Sequence, residues 1–393
     1  MTTSRALRPW YRPMVARRPG EEHRAATPLE LFFDLCIVVA VAQTAAGLHD
    51  DIVAGHVDDA VASYLRVFFA IWWAWMNVTW FSSAYDTDDD VYRITALVEI
   101  AGALVLAAGV PRAFADDDFT TTTYGYVLIR LAAVAQWLRA AAGDPTHRRA
   151  DHRYALGVAL VQAGWLLRLL LPADWLLTAF VLLALADLLV PVLAERPGTT
   201  PWNPGHIAER YGLFTLIVLG EVVLATSVAI EAGVDAGEQG LWRLGAAGTV
   251  IVFALWWLYF DRPVEVPRRL RGTLTWGYGH YLIFASVAAT GAGLWVAIAH
   301  ERDSAHVGGV VVGYATAIPV AVYLLTVWVL HVRPRHLGAT AVAFPATAAL
   351  VLLAPLGPTP VYVVAGLLFA LVVVTVVQRQ REIRAGAPTT APP

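Results

Sequence analysis

Apolar runs of about twenty residues, each closed by a short polar break, recur along the whole chain. They predict helices over residues 29–48, 61–82, 91–111, 122–141, 154–171 and 174–193, then 208–230, 241–260, 277–299, 307–331, 338–356 and 359–378. A bilayer core about 30 Å thick is crossed by roughly 20 apolar residues in a helix. The pattern is that of an all-α polytopic membrane protein with about twelve transmembrane helices. The segment "ERPGTTPWNPGH", residues 195–206, has the Pro and Gly density of a linker. The expected organisation is a basic tail over 1–28, six helices over 29–194, that linker, six helices over 207–378, and a second tail over 379–393.

Composition agrees. Of 393 residues, 58% are hydrophobic and only 15% charged, where a soluble domain averages about 45–50% and 25%. A formal charge of −3 gives no reason to expect nucleic acid as a partner; membrane lipids are the expected surroundings. Every basic residue is Arg, which with the Ala and Val bias suggests a GC-rich bacterial genome. Cys36 stands alone, so an internal disulfide or a thiolate metal site is excluded. Arg17-Arg18 and "AVAQTAAG" suggest a signal peptide, but Glu30 and Asp34 interrupt the apolar segment between them. A retained first helix is the expectation.

Arginines test the helix count, because cytoplasmic loops gather them near helix ends. With the Arg-rich tail inside, alternate loops carry Arg93, then Arg139, Arg148, Arg149 and Arg153, then Arg196 and Arg210, then Arg262, Arg268, Arg269 and Arg271, then Arg333 and Arg335. The opposite loops are acidic, with Asp50, Asp51, Asp58, Asp59 and Asp116–Asp118. Twelve spans with both termini in the cytoplasm of a bacterial inner membrane satisfy the alternation.

The halves also echo each other. "FDLCIVVAVAQ" (33–43) and "YGLFTLIVLGE" (211–221) share an aromatic-x-Leu start, an apolar run and a polar residue in register. The next helix of each half carries a double Trp, Trp72-Trp73 and Trp256-Trp257, before Tyr85-Asp86 and Phe260-Asp261. Six helices per half make the two repeats parallel, and many transporters bind at such a repeat interface. "PLELFFDLCIVVAVAQ" and "HIAERYGLFTLIVLGE", with "AYDTDD" and "WWLYFD" behind them, resemble the bacterial low temperature requirement A family. The resemblance implies an integral membrane protein connected with growth in the cold, without implying a substrate or reaction.

Chemistry must come from polar residues inside the apolar runs. At ~1.5 Å per residue, Glu221 lies roughly 18 Å into the seventh helix and Arg130 roughly 12 Å into the fourth, at one level in the proposed topology. Gln43 holds the place of Glu221 in the first helix. An intramembrane charge costs at least about 2.5–3.5 kcal/mol and faces a partner or a wet cavity. Two readings stay open: a substrate or proton site holding Glu221, Gln43 and Arg130, or a static Glu221–Arg130 pair. Glu99 extends the first reading inward. His280, between Tyr278 and Tyr281, is either titratable near neutrality or a satisfied hydrogen-bonding residue, and Asp187 reaches toward headgroups.

Glu30, Asp34, Asp86, His206, Glu209 and Asp261 are expected at a cytosolic rim. Glu30 and Glu209 complement helix dipoles at first turns. Asp86 and Asp261 close helices, where a negative charge meets the negative dipole end, so they need partners; Arg93, Arg210 and Arg262 are available. The rim reads as a cation-binding vestibule or as a ring of salt bridges. His206, Glu209 and Asp34 are of types that ligate a divalent metal, but their spacing specifies none; no metal or cofactor is expected. Four Trp lie within "IWWAWMNVTW", more than one interfacial belt takes, and Asn77 among them suits an interhelical hydrogen bond.

These features point to a secondary, proton-linked carrier of a small solute. An intramembrane enzyme acting on a lipid or polyprenyl substrate, and a non-catalytic cold-stress scaffold, are the alternatives. No phosphate-binding loop, nucleophile elbow or zinc-protease motif is present.

Overall fold

A computed structural model describes residues 9–17, 24–196, 198–235, 237–261, 265–334 and 338–384. Among these residues there is no strand, and the helices run in the order α1 (Pro28–Ala54), α2 (Val57–Tyr85), α3 (Asp90–Ala115), α4 (Thr120–Gly143), α5 (Arg148–Arg168), α6 (Ala173–Ala194), α7 (Pro204–Asp235), α8 (Gln239–Phe260), α9 (Leu270–Glu301), α10 (Gly309–Val327), α11 (Ala339–Leu353) and α12 (Pro360–Arg384). Each predicted apolar run falls on one of them. Several starts lie earlier than predicted, α9 at Leu270 the most, and α7 starts at Pro204, inside the predicted linker. Asn203 caps it there, accepting the His206 N–H at 3.0 Å, and Pro204 takes the first helical position.

Nine helices among the described residues are long and apolar enough to cross a membrane: α1, α3 and α6 to α12. The other three are not short. At about 1.5 Å per residue they would extend roughly 30–45 Å. Polarity separates them. The start of α2 carries Asp58, Asp59 and Arg66, α4 opens on four Thr and holds Arg130 and Gln136, and α5 begins Arg-Arg-Ala-Asp-His-Arg.

The helices form two compact units. One comprises residues up to Ala40 with Phe69–Tyr211; the other comprises Val41–Phe68 with everything from Gly212. The α1, α2 and α7 chains are thus each divided between units, and Val41–Phe68, from the first half of the sequence, groups with the second unit. In the first unit α3 and α4 pack closely because Gly125 has no side chain, and a Cβ there would overlap the backbone of Leu106. In the second, Gly291 of α9 lies against α7, and an added Cβ would fall 2.9 Å from both the carbonyl carbon and Cβ of Glu221.

The α10 helix runs directly into a π-helical segment, Trp328–Val332, where the Arg333 N–H donates to the Trp328 carbonyl five residues back at 2.7 Å. The sequence pattern gave no sign of this wide turn.

The two double-Trp anchors stand in different registers. Trp73 precedes the last residue of α2, Tyr85, by twelve residues, whereas Trp257 precedes the last residue of α8, Phe260, by three. Trp72 and Trp73 are buried and Trp256 is exposed. Asn77 donates to the carbonyl of Trp73 in its own helix at 2.8 Å, so the expected interhelical bond is replaced by a local one.

Candidate functional site

Helix-start chemistry gathers most of the predicted rim in the first unit. Thr27 and Glu30 cap α1 reciprocally: the Glu30 N–H donates to Thr27 Oγ1 at 3.3 Å and the Thr27 N–H to Glu30 Oε2 at 2.7 Å. The other oxygen, Oε1, accepts from Ser82 Oγ at 2.8 Å and stands 3.1 Å from His206 Nε2. The cap of α7 puts His206 there, and the Asn203 N–H in turn donates to Ser83 Oγ at 3.0 Å. Glu209, exposed, accepts the Ala26 N–H at 3.3 Å.

One turn deeper lies Asp34, with no exposure. Arg210, equally buried, donates to its two oxygens at 2.6 Å each, and Trp75 Nε1 donates to Oδ1 at 2.8 Å. This is the two-pronged geometry that suits guanidinium and carboxylate. Removing one partner of such a buried pair costs about 3–5 kcal/mol, because the other charge stays behind.

Asp86 closes α2 as expected, and its partners come from an unexpected place. Arg24 donates to the last-turn carbonyls of Ser83 and Ser82 at 2.6 and 2.7 Å, and lies 3.5 Å from Asp86 and 3.6 Å from Glu30. Arg17 stands 3.7 Å from Asp86. One cation thus answers both the exposed carbonyls and the acid at the negative end of the helix dipole. Burial, and after it the Glu30 charge, still raise the Asp86 carboxyl above its ordinary range against Arg24 and Arg17. Of the expected partners, Arg93 pairs with Asp88 at 2.8 Å, Arg210 with Asp34, and Arg262 lies outside the described residues. Asp261 belongs to the second unit, where Arg379 of α12 reaches it at 2.6 Å.

The metal set of His206, Glu209 and Asp34 does not assemble. Arg210 and Trp75 occupy Asp34, and Glu209 serves the Ala26 backbone. Among the described residues, no group of three His, Cys, Asp or Glu is placed to hold a metal ion.

The pairing predicted for Arg130 also changes. In the first unit Arg130, 1% exposed, lies 3.3 Å from Asp187 of α6, which also accepts from Tyr126 at 2.7 Å and Trp165 at 2.9 Å. Asp187 is therefore an internal counter-ion and not a headgroup contact. Glu99 is buried in the same unit and feels the Arg130 charge. The sequence reading missed the ring around Tyr85, whose hydroxyl lies 3.1 Å from Asp144 and 3.2 Å from Asp151, with His147 Nδ1 2.6 Å from Asp144. Burial opposes ionisation of Asp144, but the contacts of His147 and the Thr146 N–H outweigh it and hold that carboxyl below its ordinary range. The Asp-x-x-His spacing was the available signal.

Gln43, Glu221 and His280 belong to the second unit. Glu221 is 8% exposed at the middle of α7 and, among the described residues, makes no hydrogen bond or ion pair. Tyr64 is close enough to feel its charge. The Tyr64 hydroxyl donates to the Ala285 carbonyl at 2.5 Å, and its ring helps line an apolar cavity of about 400 Å³ with Leu48, Ile52, Ser286 and Ile318. Gln43 is half-buried. His280 has both ring nitrogens engaged, with Nδ1 2.7 Å from the Trp276 carbonyl and Nε2 3.1 Å from the Tyr259 hydroxyl. Only a proton on Nδ1 suits that carbonyl, so Nε2 accepts from Tyr259. That is the satisfied alternative for His280. The π-helical segment brings His331 beside it, at 5.4 Å between ring centres, a neighbour the sequence did not suggest.

Residues 25–378 match the family model described as bacterial low temperature requirement A protein (LtrA). An uncharacterised protein of Rhizobium meliloti (strain 1021) is 24% identical over 302 residues, 72% of each chain. With nearly all of its length in that match, the chain belongs to the low temperature requirement A family of membrane proteins.

Proposed function

We propose that this protein is a secondary carrier of the bacterial cytoplasmic membrane that couples movement of a small solute to protons, with Glu221 as the coupling carboxylate. The observation that carries the proposal is the company Glu221 keeps. A carboxyl group inside an apolar helix, without a counter-ion, is neutralised by a proton, and in this proposal that proton is taken up and released with the solute. Two neighbours support this. The cavity beside Tyr64 offers room for a solute in the same unit, and Gly291 lets α9 approach the Glu221 backbone. In this reading all twelve helices cross the bilayer, both termini face the cytoplasm as the arginine alternation requires, and the chain derives from two parallel six-helix repeats. Gln43 assists Glu221, while the Arg130–Asp187 pair, with Glu99, is the fixed polar core of the first unit.

Proteoliposomes carrying a pH-sensitive dye in their lumen test the proposal. A panel of amino acids, organic acids, sugars and cations is added outside, and solute-driven proton movement is read. At least one solute is expected to move protons through wild-type protein and none through Glu221→Gln. Coupled movement retained by that variant would remove Glu221 from the mechanism.

A further inference from the structure

A second cavity, of about 570 Å³, opens in the first unit where α1 begins, α2 ends and α3 begins. That volume is in the ~300–1,000 Å³ range of ligand sites. Its walls carry Arg17, Arg93, Asp86 and Asp88, and beside them the apolar Leu29 and Phe32. Two cations and two anions facing one space suit neither a lone anion nor a lone cation, since each would meet its own sign within reach. A zwitterion satisfies both. The Arg93–Asp88 pair is largely exposed, with side chains 41% and 53% accessible, and exposed pairs contribute little, so opening it for a ligand is cheap. Asp88 is held in a left-handed conformation, φ +47°, with its N–H donating to Asp86 Oδ1 at 3.0 Å. That turn brings both carboxylates to the same cavity.

The surface leading from the cavity decides which zwitterion. Phe32, Leu35 and Val39 are all exposed on α1, and their i, i+3, i+7 spacing puts them on one helix face. On α3 the exposed Leu97 and Leu104 follow Arg93 along the helix. Both helices are long and apolar enough to cross a membrane. The charged cavity therefore stands at the head of apolar tracks. We infer that it binds the headgroup of a phosphoethanolamine lipid, with the phosphate on Arg17 and Arg93, the primary ammonium on Asp86 and Asp88, and the acyl chains along α1 and α3.

The full chain, purified in detergent and stripped of lipid, would be offered equimolar dioleoyl phosphatidylethanolamine, phosphatidylglycerol and phosphatidylcholine, and the retained lipid counted by native mass spectrometry. Phosphatidylethanolamine should be retained over each of the others by about 3- to 10-fold, the size of one or two charge contacts. Asp88→Asn should move the ratio toward phosphatidylglycerol by roughly 2- to 5-fold, and Arg93→Gln should lower retention of all phospholipids, each being one exposed charge lost. A ratio between lipids is insensitive to a general loss of folded protein. Equal retention of the three lipids, or a phosphatidylglycerol preference unmoved by Asp88→Asn, would overturn the zwitterion assignment. Free phosphoethanolamine displacing the lipid at equal concentration would overturn the membrane source and leave a soluble zwitterion as occupant.

Discussion

Asp34 and Glu221 are both carboxylates inside apolar helices, one in each compact unit, and they differ in company. Asp34 has Arg210 on both oxygens and the Trp75 indole besides, with no exposure. Glu221 has no hydrogen bond or ion pair among the described residues. The first arrangement spends its charge on holding α1, α2 and α7 in place. The second has no such partner, and under the proposed function a proton balances its charge. An acidic residue in a membrane helix is therefore not by itself a functional mark; the partners of its oxygens distinguish Asp34 from Glu221.

Mutations can break or sharpen that contrast. The largest effect is expected from Arg210→Met, which strands the buried Asp34 charge and should destabilise the protein by about 3–5 kcal/mol, seen as a lower melting temperature in detergent. Adding Asp34→Leu should recover most of that loss, because apolar replacement of both partners is tolerated; no recovery would mean the pair is not acting as a unit. Next comes Gly291→Val, where α9 must move off Glu221 at about 1–3 kcal/mol, and melting and solute-driven proton movement should fall together. Thr27→Ala removes half of the α1 cap and should cost about 1 kcal/mol. Smallest in stability is Glu221→Gln, expected within about 0.5 kcal/mol of wild type while proton coupling is lost. A Glu221→Gln protein that melts as low as Arg210→Met would place Glu221 with Asp34 among the scaffold residues.

The positions of the helices were legible in the sequence because an apolar run of membrane length leaves few other solutions. Residues that act at helix starts were legible too: Glu30 and His206 sit in the first turns of α1 and α7, where Thr, Pro and Asn mark the beginning. Glu209, expected in a first turn, falls in the second because α7 starts at Pro204. Partner choice was not. Arg130 and Glu221 share a level on paper, yet Arg130 is taken by Asp187, because which side chains meet depends on how α4 and α6 pack, and apolar periodicity does not encode that. Asp86 shows the same limit from the other side. The need for a cation followed from its place at the end of α2, but the cation is Arg24, from the segment preceding α1, and not the nearer Arg93. The double Trp marked both α2 and α8 while concealing a nine-residue difference in register.

The π-helical segment after α10 has a consequence for insertions and deletions. A wide turn holds one residue more than a regular α-helical turn, so it takes up that residue locally and leaves its flanks in phase. Removing one residue from Trp328–Val332 should let the helix close into regular α geometry while the residues on either side keep their phase. A single-residue deletion in this stretch should therefore do less harm than the same deletion in the regular part of α10, where it turns the residues that follow by about 100°.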